Sequence, residues 1–166
     1  MKQLYCPWRE KYSDDSSKIR QPDATETECV FCKQFKENND KENFILKRYK
    51  HNVVILNKYP YNPGHLMVIP LLHTSDIDQL SPEERAELIE LTSKASTLLR
   101  EALHAQGMNI GMNLGTWGGA GIPSHIHMHV IPRYDRDTNF LTTVSGTRAI
   151  SYDLHEIYEK LRPLFH

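Results

Sequence analysis

"PSHIHMHVIPR", residues 123–133, places His125, His127 and His129 at every second position. A β-strand turns successive side chains to opposite faces, so this spacing predicts that the three imidazoles share one face. Ile126, Met128 and Val130 then share the other face, which suits a core. On a helix the same spacing would scatter the histidines around the cylinder. A strand over 125–133 is therefore expected, with an apolar side that packs and an imidazole side that lines a site.

Working outward, "GTWGGAGIPS" (115–124) reads as a glycine-rich loop and "MNIGMNL" (108–114) as the strand before it. "SPEERAELIELTSKASTLLREALHAQG" (81–107) carries the clearest helix signal. Ser81 is placed to cap it, Pro82 suits the first helical position, and Glu84 completes a capping box. Leu88, Leu91, Ala95, Leu98 and Ala102 form the expected apolar stripe, and Gly107 the expected stop. Further upstream, "ENFILKRY" (42–49) and "NVVILNKY" (52–59) read as strands. "YPYNPG" (59–64) is a turn, and "HLMVIP" (65–70) the returning strand. "CVFCKQF" (29–35) opens a short helix, and "SYDLHEIYEKLRPLF" (151–165) forms a terminal one.

Short joins between strands favour antiparallel pairing. The expected fold is α+β: an antiparallel sheet of about five strands with a long helix and a C-terminal helix, the helices on one face. Residues 1–27 are polar and irregular, with Tyr5, Pro7, Trp8 and Tyr12 as anchors, and are expected to form an arm packed on a single domain spanning 28–166.

Composition narrows the class of function. Hydrophobic residues are 39% and charged residues 25%, as in ordinary globular chains. A net charge of -1 gives no broad electrostatic case for nucleic acid or an anionic membrane as partner. No apolar run approaches the ~20 residues of a membrane helix, and "MKQLYCPWREKYSDD" lacks the apolar core of a secretory signal. Three cysteines, Cys6, Cys29 and Cys32, are too few and too odd in number for a disulfide scaffold, so a reducing cytoplasm is expected. Cys6 reads as an ordinary residue of the arm.

The histidine row admits three chemistries: a solvated strand face, a metal site sharing two or three imidazoles, or nucleophilic catalysis by one imidazole with the others positioning. The loop before it bears on the choice. Four glycines in residues 115–121 let backbone N–H groups turn toward an anion, although no Gly-Lys-Ser/Thr follows as in a P-loop. A phosphate cradle beside an imidazole row points to attack of a neutral histidine on phosphorus. That step gives a covalent phosphoramidate, which a second nucleophile then cleaves.

H-I-H-M-H-V-I resembles the histidine-triad pattern of nucleotide hydrolases and transferases. "ILNKYPYNPGHLMVIP", "NIGMNLGTWGGAGIPSH", "RDTNFL" and "PWREKY" are similar to the branch of diadenosine tetraphosphate phosphorylases. The resemblance implies that His127 is the nucleophile toward the α-phosphorus and that His129 bonds the phosphate or the departing oxygen. It places Asn57 at the ribose and Asn113 at the phosphate or leaving group, with Gly119, Gly121 and Ser124 around the phosphate. Ile122 stands where many members have Ser or Thr, and Arg136 where the branch often has glycine. His65, directly after "NPG", is a candidate supporting contact for the catalytic strand, and Arg133 a candidate source of positive charge.

Cys29 and Cys32 form C-x-x-C, by itself compatible with a redox pair, half a zinc site or two buried thiols. The wider superfamily includes galactose-1-phosphate uridylyltransferases, which the arrangement resembles. That resemblance implies a structural zinc on Cys29, Cys32, His73 and His125, with no organic cofactor. The expected activity is nucleotidyl transfer from dinucleoside polyphosphates with phosphate as acceptor, by a homodimer. Water as acceptor would make it a hydrolase or a nucleoside phosphoramidase. A nucleotide-binding regulator with weak residual activity and a zinc hydrolase using all three histidines are the rivals from other classes.

Overall fold

The computed structural model describes residues 28–37, 39–135, 137 and 152–165. The arm expected over 1–27, with Cys6, and the departure at Arg136 lie outside the described residues. Helix α1 (Val30–Lys36) leads into strands β1 (Ile45–Arg48), β2 (Asn52–Leu56) and β3 (Leu66–Pro70). Helix α2 (Pro82–Leu103), strands β4 (Gly107–Gly111) and β5 (Met128–Arg133), and helix α3 (Leu154–Leu161) complete the order. The strands form one sheet in the order β1-β2-β3-β5-β4, with every neighbouring pair antiparallel. The α+β expectation is met.

β2 and β3 are buried at every residue, which explains the apolar runs of 53–56 and 66–70. β5 instead alternates buried and half-buried positions. Its register places Met67 opposite His129 and Val68 opposite Met128. On the other edge, Gly111 pairs with His129 and Gly107 with Arg133.

α2 begins as its sequence dictates. The Ser81 hydroxyl accepts from Glu84 N–H at 3.2 Å, and the Glu84 carboxylate accepts from Ser81 N–H at 2.7 Å. The buried stripe is Leu88, Leu91, Ala95 and Leu99, so it drifts by one position from the expected Leu98 and Ala102, which pack half-buried beside it. The helix does not run to Gly107. It stops at Leu103 because His104 takes a left-handed conformation (φ 56), and Gly107 already pairs as the first residue of β4. α3 starts three residues later than expected, where Asp153 accepts the N–H groups of His155 and Glu156 at 2.8 and 3.1 Å. Its Tyr158 hydroxyl donates to the Ile45 carbonyl at 3.1 Å, tying the helix to β1.

The helices do not all share one face. A side chain built at Gly64 would meet Leu99 and Leu103 of α2 and Pro132 of β5, so α2 lies on the side of Pro132 and its alternates Val130 and Met128. The Phe31 ring of α1 meets His125 and His127, on the opposite side. No helix among the described residues is long and apolar enough to cross a membrane.

Candidate active site

Ladder pairing of β5 begins at Met128, not at residue 125. The preceding stretch leaves a turn, where His125 N–H donates to the Ile122 carbonyl at 3.3 Å, and is held by a bond from Ile126 N–H to the Thr74 carbonyl at 2.8 Å. The expected alternation survives this. The rings of His127 and His129 lie 4.8 Å apart, and Phe31 touches both His125 (5.5 Å) and His127 (5.3 Å) between ring centres. The histidine side is not an open face, since His125 and His127 are buried while His129 is half-buried.

Partners fix which nitrogen of each ring carries its proton. His127 Nδ1 lies 3.0 Å from the His125 carbonyl, which can only accept, so Nδ1 holds the proton and Nε2 the lone pair. Burial lowers the pKa of His127, and the carbonyl bond opposes this without reversing it. The imidazole is therefore neutral at neutral pH, with Nε2 competent to attack or to take a proton.

His129 Nδ1 lies 2.9 Å from His65 Nε2. His65 Nδ1 receives the Tyr61 backbone N–H at 3.1 Å. Asn57 Nδ2 stands 3.3 Å from that same nitrogen, oriented there because Asn57 Oδ1 accepts Tyr59 N–H at 2.9 Å. Two donors on Nδ1 leave the His65 proton on Nε2, where it points at His129 Nδ1. His129 then carries its proton on Nε2, as a donor. Asn57 is thereby within one residue of the histidine row.

Of the loop residues, Asn113 Nδ2 donates to the Gly119 carbonyl at 3.5 Å, closing the glycine-rich turn. Gly119 has φ 85, a conformation that favours glycine. Gly121 is half-buried, and Ser124 is exposed next to His125. Gly118 sits in a turn so tight that a β-carbon would lie 2.2 Å from the Leu114 carbonyl oxygen, a constraint that its place in the sequence does not reveal. Arg133 is not aimed at this loop. It pairs with Asp137, Nη2 to Oδ1 at 2.8 Å, and with Asn109 Oδ1 at 2.9 Å.

Cys29, Cys32, His73 and His125 converge, with one donor atom from each lying within 4.8 Å of all the others. His125 Nε2 donates to the Pro70 carbonyl at 2.8 Å, so its Nδ1 lone pair faces the sulfurs. That nitrogen lies 3.5 Å from Cys29 Sγ, 3.6 Å from Cys32 Sγ and 3.3 Å from His73 Nδ1, and His73 Nδ1 lies 3.3 Å from Cys32 Sγ. Tetrahedral zinc has edges of about 3.4 Å between nitrogens and about 3.6 Å between nitrogen and sulfur, from its usual bond lengths. The donor set and its spacing fit such an ion. Burial first, and Cys29 second, push the Cys32 thiol above its ordinary pKa, with the Lys36 charge opposing them.

The HIT domain family model matches residues 38–136. The chain belongs to the HIT domain family. It is 35% identical over 150 residues to a Mycobacterium tuberculosis protein named AP-4-A phosphorylase, covering 90% of this chain and 77% of that one. A HIT relative by structure is a zinc-bound histidine triad family protein from Mycobacterium smegmatis. It has TM-score 0.67 and 31% identity, and the match covers 82% of this chain and 91% of that one. A more distant relative is the asymmetrical bis(5'-nucleosyl)-tetraphosphatase of Schizosaccharomyces pombe, 31% identical over 93 residues, 56% of this chain and 50% of that one.

Proposed function

We propose that this HIT protein, a nucleotide-processing enzyme by its kinship, cleaves dinucleoside polyphosphates such as diadenosine tetraphosphate through a nucleotide bound to His127, with phosphate as acceptor. The observation that carries this is the neutral Nε2 lone pair of His127 beside the donor Nε2–H of His129. His127 Nε2 forms a bond to the α-phosphorus, and the bond to the bridging oxygen breaks. ATP departs, its new charge on the oxygen met by the His129 N–H. A phosphate oxygen then attacks the same phosphorus, the N–P bond breaks, and ADP leaves with His127 restored. Backbone N–H groups of 115–122 stabilise charge on the phosphoryl oxygens, aided by Asn113, Gly119, Gly121 and Ser124, while Asn57 holds the ribose. The likeness to the named phosphorylase supports phosphate over water as acceptor. The likeness to the tetraphosphatase favours water as the second reading.

Cys29, Cys32, His73 and His125 hold a structural zinc in this account. With four protein ligands, such an ion would tie α1 to the approach of β5 and would leave no open site for substrate. Thiolate ligands of this kind suit a reducing cytoplasm. A homodimer would use edge strand β4 and the chain just after it, where Ile110 and Leu114 are each 49% exposed.

The test is capture of the intermediate. Rapid quenching during turnover, followed by mass spectrometry of peptides, should find adenylate on the peptide bearing His127. Adenylate on another residue, or none at steady state and in the burst phase, contradicts the assignment.

A further inference from the structure

The turn 59–64 and the chain beyond β5 meet in a cluster that no step above uses. Asn62 is completely buried, and its Nδ2 donates to the Pro132 carbonyl at 2.7 Å and to Asp137 Oδ2 at 3.1 Å. Asp137 also accepts the Arg133 guanidinium and, at 3.3 Å, the Tyr134 N–H. The Tyr134 hydroxyl donates to the Pro63 carbonyl at 2.8 Å. Burial pushes the Tyr134 pKa well up, so this hydroxyl stays a donor. The turn is thus gripped at two successive residues from its outer side. On its inner side it presents Tyr61 N–H to His65 Nδ1, and the Asn62 carbonyl accepts His65 N–H at 3.0 Å.

We propose that Asn62, Tyr134 and Asp137 form a clamp that positions the Tyr61 amide, and through His65 holds the ring proton of His129 on Nε2. This rests on the reading of His129 as donor to the departing oxygen. The three are positioning residues; each acts through the turn. A backbone amide can only donate, so while it stays on His65 Nδ1 the proton order of both rings is set. Drift of the turn by about 0.5 Å weakens that bond and leaves the longer contact of Asn57 Nδ2, at 3.3 Å, as the remaining donor to His65 Nδ1, so the tautomer preference of both rings is reduced. A turn that served only to join β2 to β3 would have no need of a buried amide. Here Asn62 Oδ1 is buried without a hydrogen-bond partner among the described residues, a cost that placement of Nδ2 offsets.

The experiment uses the full chain with Asp137→Asn, Tyr134→Phe and the double variant, each removing clamp bonds while leaving Asn62 in place. Asn62→Ala is the harsher variant, and the other two carry the test if it fails to fold. Two substrates separate positioning from general damage. Diadenosine tetraphosphate has a leaving oxygen that needs a donor, whereas the p-nitrophenyl ester of AMP has a leaving group that needs little help. The double variant should lose roughly tenfold in kcat on the first, with KM and the ester rate changed by about twofold or less. Nitrogen-15 histidine spectra should show His129 as the Nε2–H tautomer in the native protein and as a mixture in the variant. Equal losses on both substrates, or an unchanged tautomer in the variant, would overturn the clamp. Ester cleavage that persists in His127→Ala would instead overturn the functional reading beneath it.

Discussion

His127 offers a substrate one atom, Nε2, because its Nδ1–H is committed to the His125 carbonyl. Replacing it with Ala should lower turnover by on the order of 10³-fold or more while leaving nucleotide affinity near native, as calorimetric titration would show. Normal turnover in that variant would remove the nucleophile assignment. The positions of the three histidines were legible in sequence, because strand alternation is a local rule. Their protonation was not. It depends on a carbonyl, on Tyr61 N–H and on His65, which is 64 residues away from His129. Phe31 was equally invisible as a partner of His125 and His127, since nothing local to "CVFC" says what its ring will meet. The cysteine pair was visible as a pair, but its approach to His125 spans 96 residues and came only from family resemblance.

The elements show the same division between local and distant causes. The α2 capping box is local and was read correctly. Ser81→Ala should destabilise the protein by about 1 kcal/mol in urea unfolding. The bond from Ser81 N–H, and then the Ser81 hydroxyl, hold the Glu84 carboxyl below its ordinary pKa. A depressed carboxylate adds stability that is present above the unfolded pKa and lost as pH falls through the folded value. Melting temperature should therefore fall on acidification below about pH 4.5, the ordinary value. Part of that fall should be absent in Glu84→Gln. An identical acid profile in the two proteins would show that the box adds nothing to pH dependence. The end of α2 was misread because glycine is only the commonest stop. His104 takes the left-handed turn, and pairing of Gly107 with Arg133 draws the chain into β4. Gly64 is a stricter case: φ is +80, and a β-carbon would sit 2.5 Å from Leu103 Cδ1. Gly64→Ala should lower stability by roughly 2 kcal/mol in the same assay.

Across the whole molecule, the four-donor cluster joins three separate parts of the chain: α1, the segment after β3, and the approach to β5. Purified protein should carry close to one zinc per chain by atomic absorption. Stripping the metal should lower the melting temperature by roughly 10 °C, the scale expected when a tightly bound ligand is lost from a domain of this size. Cys32→Ser should lose the metal and show the same shift. A metal-free protein of unchanged stability would leave the cluster a plain thiol and imidazole contact. Nucleotidyl transfer to phosphate can be read from the products of diadenosine tetraphosphate cleavage, with and without inorganic phosphate. ADP and ATP in equal amounts, formed only when phosphate is present, are the predicted result. AMP and ATP formed at the same rate without phosphate would contradict it and make water the acceptor.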